Sequence, residues 1–360
     1  MDKSSRIYIA GHRGMVGSAL MRMLRANGYA NIICRSHSEL DLTRQADVEQ
    51  FFSQEKPDYV FLAAAKVGGI LANNTYKADF IYHNIMIAAN VIHAAYKHGV
   101  KKLLNLGSSC IYPKFAEQPL KEEYLLTGSL EPTNEPYAIA KISALKLCRY
   151  YNEQYRTNFI SVMPTNLYGP NDDYNLETAH ALPALIRKIQ LARLLGLKQF
   201  EKIKMDLISC QVGFDRDSTI DLNSEDAIIS ILQGLGISPD YVTIWGSGEV
   251  YREFMHVDDL AEACIYLMER YDCKETGELV NIGTGQDITV NQLAVFIKEI
   301  IGFKGELRHD TTKPSGTPRK LLDVSRINRL GWKAGIDLHT GIKRTYEWYL
   351  NKVNGGQTIK

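Results

Sequence analysis

The sequence carries no surplus of one charge: 42 lysines and arginines face 41 aspartates and glutamates over 360 residues, a formal net charge of +1. Nucleic-acid binders show a basic surplus or a basic stripe. No nucleic-acid partner is therefore expected, and only a local basic pocket for a small anion stays open. No apolar run reaches the roughly 18 residues that a membrane helix needs, so no membrane partner is expected. The six cysteines (Cys34, Cys110, Cys148, Cys210, Cys264 and Cys273) contain no CxxC pair and no grouping with histidine at metal-ligand spacing. That pattern argues against a zinc site or a redox dithiol, and no metal is expected. Residues 1–6 pass straight into an apolar strand without the hydrophobic stretch of a secretory leader. A cytoplasmic protein with reduced thiols is the expectation. Internal repeats and low-complexity tracts are also lacking, which excludes a repeat architecture.

What is present is an alternation of short apolar runs with longer helical patterns. Residues 6–10, 31–34, 59–63, 102–106 and 159–163 read as strands. Residues 15–27, 47–54, 76–99 and 137–156 read as helices between them. Repeated strand–helix–strand units call for a parallel sheet covered on both faces. The fold class expected is α/β, a Rossmann-like doubly wound parallel sheet with a smaller α/β C-terminal substrate domain. Ligands of such a sheet sit at the carboxyl ends of its strands. In the second half, residues 243–246 and 279–282 read as strands, the latter followed by Gly283-Thr284-Gly285. Helices are expected over 256–268, over 290–301 with its start at Thr289, and from about Ser224.

Gly11-His12-Arg13-Gly14-Met15-Val16-Gly17 falls between the first strand and the first helix. Glycines let the backbone approach a pyrophosphate, and the helix N-terminus supplies free N–H groups. This is a dinucleotide loop in its expected context. NAD sites place a carboxylate after the second strand; here that strand ends Cys34-Arg35-Ser36-His37. Arg35, helped by Arg13, is expected to hold a 2′-phosphate, which favours NADP. Tyr137 and Lys141 are spaced i, i+4 on one helix face. The ammonium is expected to lower the phenol pKa from about 10. Ser108, just after the strand 102–106, is placed to hold a substrate oxygen beside them.

The glycine loop, Ala63-Ala64-Ala65, Ser108, Tyr137 and Lys141, in that order, resemble the extended short-chain dehydrogenase/reductase family. The resemblance implies that Ser108 and Tyr137 polarise a carbonyl while Lys141 tunes the tyrosine and holds the nicotinamide ribose. It adds His37, Asp41, Leu42, Leu106, Gly107, Pro164, Thr165, Asn166, Leu167 and His180 to the cofactor-binding residues. Further stretches, among them 63–70, 131–137, 164–170, 252–259 and 316–323, are similar to one branch of that family. That branch is bifunctional: it epimerises C3 and C5 of GDP-4-keto-6-deoxy-D-mannose and reduces C4 with NADPH to give GDP-L-fucose. Cys110 and His180 would be its acid–base pair; a thiol and an imidazole both titrate within reach of neutrality. Lys188, Trp245 and Arg252 would hold the GDP-sugar. Ser315 stands where the family often has a substrate-contacting acid, and His37 where it often has an arginine. A homodimer through two helices of the cofactor domain is implied.

The organisation expected is a cofactor domain from 1–165 plus about 253–285, and a substrate domain from about 166–252 plus 286–350. An insertion at about 195–241 is read as a peripheral decoration in preference to a lid over the nucleotide. Two alternatives are weighed: a 4-epimerase or 4-reductase of another sugar nucleotide, and a non-catalytic NADP-binding protein.

Overall fold

The computed structural model describes residues 1–213, 220–313 and 317–355. Its first lobe is built on strands β1 (Ile7–Ala10), β2 (Ile32–Ile33), β3 (Tyr59–Leu62), β4 (Lys102–Leu106) and β5 (Phe159–Pro164). Helices α1 (Met15–Ala26), α2 (Gln45–Glu55), α3 (Ile70–Thr75), α4 (Lys77–Lys97) and α5 (Glu135–Tyr155) connect them. A later strand, β9 (Val280–Ile282), completes a six-stranded parallel sheet in the order β2-β1-β3-β4-β5-β9. The expected α/β class with a parallel doubly wound sheet is what the chain adopts.

Both faces of this sheet are buried, which explains why its strands read as unbroken apolar runs. Ile7 and Ile9 point to one side and pack with Leu20 and Leu24 of α1. Tyr8 and Ala10 point to the other and pack with Phe52, Val91 and Ile92. Each fully buried aliphatic contributes about 1.5–3 kcal/mol relative to exposure. The chain order reverses between β1 and β3, so the ligand crevice opens there.

The second lobe holds β6 (Asn166–Tyr168), β7 (Tyr241–Trp245), β8 (Tyr251–His256), β10 (Asp287–Thr289), β11 (Glu306–Asp310) and β12 (Arg319–Lys320). Around them lie α6 (Ala181–Gly196), α7 (Phe200–Ser209), α8 (Glu225–Gly234), α11 (Val290–Ile301) and α13 (Leu338–Val353). Helix α9 (Val257–Arg270) returns to cover the first sheet beside α1, followed by the short α10 (Cys273–Thr276). The short α12 (Ser325–Arg329) leads toward α13. Strand β8 is the centre of this lobe: it pairs with β6, β10 and β12. The starts read from sequence at Thr289 and Ser224 are real caps, with Thr289 in a capping box with Gln292 and Ser224 accepting from the Ala227 N–H.

Residues 195–241 are not peripheral where they are described. Ile203 and Leu207 of α7 and Ile228 and Leu232 of α8 are buried in the same cluster as Ile186 and Ile189 of α6. Arg187, fully buried on α6, binds Asp206 of α7 at 2.8 Å and donates to the carbonyls of Tyr174 and Cys210. The buried guanidinium is satisfied by one carboxylate and by carbonyls, the condition under which a charge can be buried. Among the described residues no helix is long and apolar enough to cross a membrane.

Candidate active site

The glycine loop follows β1 and ends in α1, at the switch point of the sheet. Gly11 has φ +85°, and a Cβ there would lie 2.7 Å from the Ala64 nitrogen. A Cβ on Gly17 would collide with the Gly11 carbonyl oxygen. These two positions demand glycine so that the turn, the helix and the end of β3 can close on one another. Gly14 meets only ordinary contact. Of the neighbouring residues, Arg13 is exposed, and Arg13 together with burial lowers the His12 pKa.

At the far end of the crevice Arg35 pairs with Glu55 of α2, donates to the Cys34 carbonyl and lies 5.5 Å from the Phe51 ring centre. Glu39 folds back onto the Ser36 N–H and hydroxyl. Asp41 is turned onto Thr43, while His37 is exposed. The Leu42 carbonyl accepts from Asn90 of α4.

At the carboxyl end of β4, Ser108 caps one turn of 3-10 helix (Ser109–Ile111), its hydroxyl accepting from the Cys110 N–H at 3.4 Å. That turn sets Ser108 at the cleft and sinks Cys110 beneath it. Gly107, just before, is buried against Met163, where a Cβ would overlap the thioether. Helix α5 begins at Glu135 with Pro136 in its first turn, and its next turns carry Tyr137 and Lys141. Lys141 donates to the Leu106 carbonyl at 2.8 Å, and its nitrogen lies 5.6 Å from the Tyr137 ring centre.

The pKa shifts correct one expectation. Burial pushes the Tyr137 phenol well up, and the neighbouring Cys110 adds to the rise. Burial also pulls Lys141 down to about 8. Desolvation dominates both shifts, and the lysine is committed to a backbone carbonyl. The phenol is therefore a proton donor at rest. The thiol of Cys110 is likewise raised by burial, with Lys320, Ser108 and Lys141 pulling it back.

His180 is the N-cap residue of α6. Its side chain is open to solvent, yet the surrounding protein and Lys320 lower its pKa, so its imidazole is neutral. The loop before it docks on the segment after β3: the Gly69 N–H donates to the Thr178 carbonyl at 2.9 Å. A Cβ at Gly69 would stand 2.7 Å from that same oxygen. Asn73 holds the other side by donating to the Gly68 and Gly69 carbonyls. Residues 67–69 are thus the seat on which His180 is set.

Sequence reasoning did not single out Lys320. It lies on β12, in register with Arg252 of β8, and its charge acts on Cys110, His180 and Arg252. Burial and Arg252 depress its own pKa, while Cys110 raises it. Cys110 and Lys320 line one small pocket together with Tyr112, Gln118 and Asn134. The only sequence signal was the run Arg319-Lys320 inside a stretch already noted for resemblance.

The residues expected at the nucleotide end are only partly brought to an open surface. Lys188 is 6% exposed and donates to the carbonyls of Leu235, at the end of α8, and Thr243. Burial lowers its pKa to about 8. Trp245, 42% exposed, has the Lys188 nitrogen 5.9 Å and the Lys313 nitrogen 5.5 Å from its ring. Lys313 was not anticipated. Arg252 donates to its neighbour's carbonyl at Tyr251, and burial lowers its pKa. Ser315 lies outside the described residues. Pro164, Thr165, Asn166 and Leu167 end β5 and open β6, with Thr165 and Asn166 tied to the Glu253 carbonyl. Among the described residues no group of three or more His, Cys, Asp or Glu could hold a metal.

A glycine cradle at the switch point, joined to a Ser–Tyr–Lys set at the end of β4, defines a nicotinamide-dependent enzyme of the extended short-chain reductase class. The family described as NAD dependent epimerase/dehydratase matches residues 7–208 and 224–283, and the chain belongs to it. It is 52% identical to GDP-L-fucose synthase 1 of Arabidopsis thaliana over 352 residues, covering 98% of this chain and 95% of that one. It is 47% identical to the GDP-L-fucose synthase of Escherichia coli, covering 96% of each. Among solved structures, the GDP-mannoheptose C4 reductase from Campylobacter jejuni with NADP bound is similar. It is 43% identical with a TM-score of 0.85, covering 97% of this chain and 99% of that one.

Proposed function

We propose that this chain converts GDP-4-keto-6-deoxy-D-mannose to GDP-L-fucose, by epimerisation at C3 and C5 followed by NADPH-dependent reduction at C4. What supports the reading most is that Cys110 and Lys320 line one pocket, with the charge of Lys320 reaching His180 and Cys110 adjoining Ser108 and Tyr137. A plain reductase has no use for a thiol and an imidazole there. The curated relatives of nearly full coverage, named GDP-L-fucose synthases, support it.

The glycine cradle of Gly11 and Gly17 fits a pyrophosphate, and Lys141 with Leu106, Gly107 and residues 164–167 would hold the nicotinamide end. When bound, NADPH supplies a hydride. Arg35 and Arg13 serve the 2′-phosphate, Arg35 exchanging Glu55 for it. Ser108 and Tyr137 bind the 4-keto oxygen, which acidifies the hydrogens at C3 and C5 alike. One of Cys110 and His180 removes such a proton and the other returns one to the opposite face; Lys320 stabilises the thiolate form of Cys110 and keeps His180 neutral. Tyr137, held protonated by burial, then gives its proton to the oxygen formed at C4. Lys188, Arg252 and Trp245 serve the GDP end, Lys188 trading carbonyls for a diphosphate.

A homodimer through α4 and α5 belongs to this reading. The two helices lie side by side and leave Tyr82, at 58%, and Tyr150, at 53%, exposed. Sedimentation equilibrium should give twice the 40.6 kDa chain mass; a single-chain mass excludes the dimer. Cytoplasmic residence fits the six unpaired cysteines, and disulfides in protein isolated from its own cells would contradict it. To test the activity, the chain is supplied with GDP-4-keto-6-deoxy-D-mannose and NADPH and the product is identified by NMR. GDP-L-fucose is expected, and a 4-reduced sugar of unchanged C3 and C5 configuration rejects the epimerase half.

A further inference from the structure

Glu253 is fully buried on β8, whose partner strands β6, β10 and β12 all belong to the second lobe. One carboxylate oxygen accepts from the Thr284 N–H at 2.6 Å, the Gly285 N–H at 2.7 Å and the Thr284 hydroxyl at 3.3 Å. The other accepts from the Leu322 N–H at 3.0 Å. Gly283-Thr284-Gly285, legible in the sequence only as a turn after a strand, is therefore an anion nest whose occupant is a side chain of the protein itself. Gly285 has φ +72°, and a Cβ on Gly283 would overlap the carboxylate. The nest can form only around glycine.

Three pieces of the active site meet at this residue. Its backbone carbonyl accepts from Thr165 at 3.2 Å and Asn166 at 2.8 Å, on the segment assigned to the nicotinamide side. Its neighbour Arg252 is the register partner of Lys320. Its carboxylate holds Leu322, two residues beyond Lys320, while the Leu321 N–H is held by Gln118, a wall residue of the Cys110 cavity. A buried carboxylate is expensive to desolvate, and a neutral side chain would fill the same space at less cost. An ionised acid has one property that a neutral amide lacks: both oxygens accept, so it clamps two N–H-bearing segments at once.

We infer that Glu253 is a positioning residue that fixes the strand bearing Lys320 against Cys110 and His180, and so sets epimerisation separately from reduction. This rests on the function proposed above. In Glu253→Gln the amide oxygen keeps the Thr284 and Gly285 bonds, but the NH₂ group faces the Leu322 N–H, donor against donor. The β12 segment is released while the nest stays closed.

The test supplies GDP-4-keto-6-deoxy-D-mannose and NADPH to the wild-type chain and to E253Q, and reads NADPH oxidation together with the ratio of epimerised to unepimerised 4-reduced product. In E253Q the ratio should fall about tenfold or more while NADPH oxidation changes by less than about threefold, the range in which outer-shell partners act. An unchanged ratio, whatever the overall rate, overturns the inference. Should E253Q not fold, the Leu322 amide of the wild-type protein decides: slow hydrogen exchange, comparable to that of the core of β8, is expected, and rapid exchange overturns the clamp. If the wild type itself forms no epimerised product, the functional reading has failed. If it does and the variant ratio is unmoved, only the role of Glu253 has.

Discussion

Lys188 shows how burial decides a side chain's state. Its ammonium is held by the Leu235 and Thr243 carbonyls, and burial brings its pKa from 10.5 to about 8. Below about pH 8 the folded and unfolded chains both carry the proton, and folding bears the full cost of the buried charge. As pH rises from about 8 to 10.5 the folded chain gives up the proton first, the unfolded state binds more protons, and stability rises. Lys188→Met removes the group. The unfolding free energy of the wild type minus that of the variant should therefore climb across this window, with a slope of at most about 1.4 kcal/mol per pH unit. Denaturant titrations at several pH values read it, and a flat difference contradicts the burial account. Among single residues, Ser108, Tyr137, Lys141, Cys110 and His180 are proposed from their types, their order along the chain and the family resemblance. Their pKa shifts were not legible there, because desolvation is a property of the fold: the spacing of Tyr137 and Lys141 gave their proximity but not the carbonyl of Leu106 that claims the lysine.

At the scale of elements, periodicity and punctuation predicted well. The parallel strands, the glycine turn after β1 and the caps at Thr289 and Ser224 follow from local sequence. Contacts between distant segments were hidden. Gly69 marks the difference: in sequence it is one of two adjacent glycines, in space it is the seat for the loop carrying His180. Gly69→Ala would press a Cβ to 2.7 Å from the Thr178 oxygen and shift that loop. A displacement of about 1 Å in a reacting group costs up to about a hundredfold. Solvent-deuterium incorporation into the sugar should fall by about tenfold or more, while the NADPH dissociation constant, set at the Gly11–Gly17 cradle, should stay within about twofold of wild type. Equal losses in both would mean that Gly69 serves the cofactor site instead. The helices α7 and α8 are a second case. The stretch 195–241 read as a peripheral decoration, yet Arg187 and the apolar residues of α6 build α7 and α8 into the core.

In the whole molecule, the cleft lies between a sheet that carries the cofactor loop and a lobe whose chain returns to that sheet through α9 and β9. The class of fold was legible because two faces of a parallel sheet must be apolar. Lys320 and Glu253 were not, since strand pairing within the second lobe brings together residues far apart in the chain. The central claim is that one cleft performs proton exchange at two carbons and hydride reception at the carbon between them. The most direct measurement compares wild type with Cys110→Ser in heavy water, given GDP-4-keto-6-deoxy-D-mannose and NADPH. The wild type should yield GDP-L-fucose deuterated at C3 and C5. The variant should lose that label by about a hundredfold or more in rate, the scale of a missing acid–base group, while still oxidising NADPH to an unepimerised 4-reduced product. Full deuteration by the variant, or an unlabelled product from the wild type, would contradict the account.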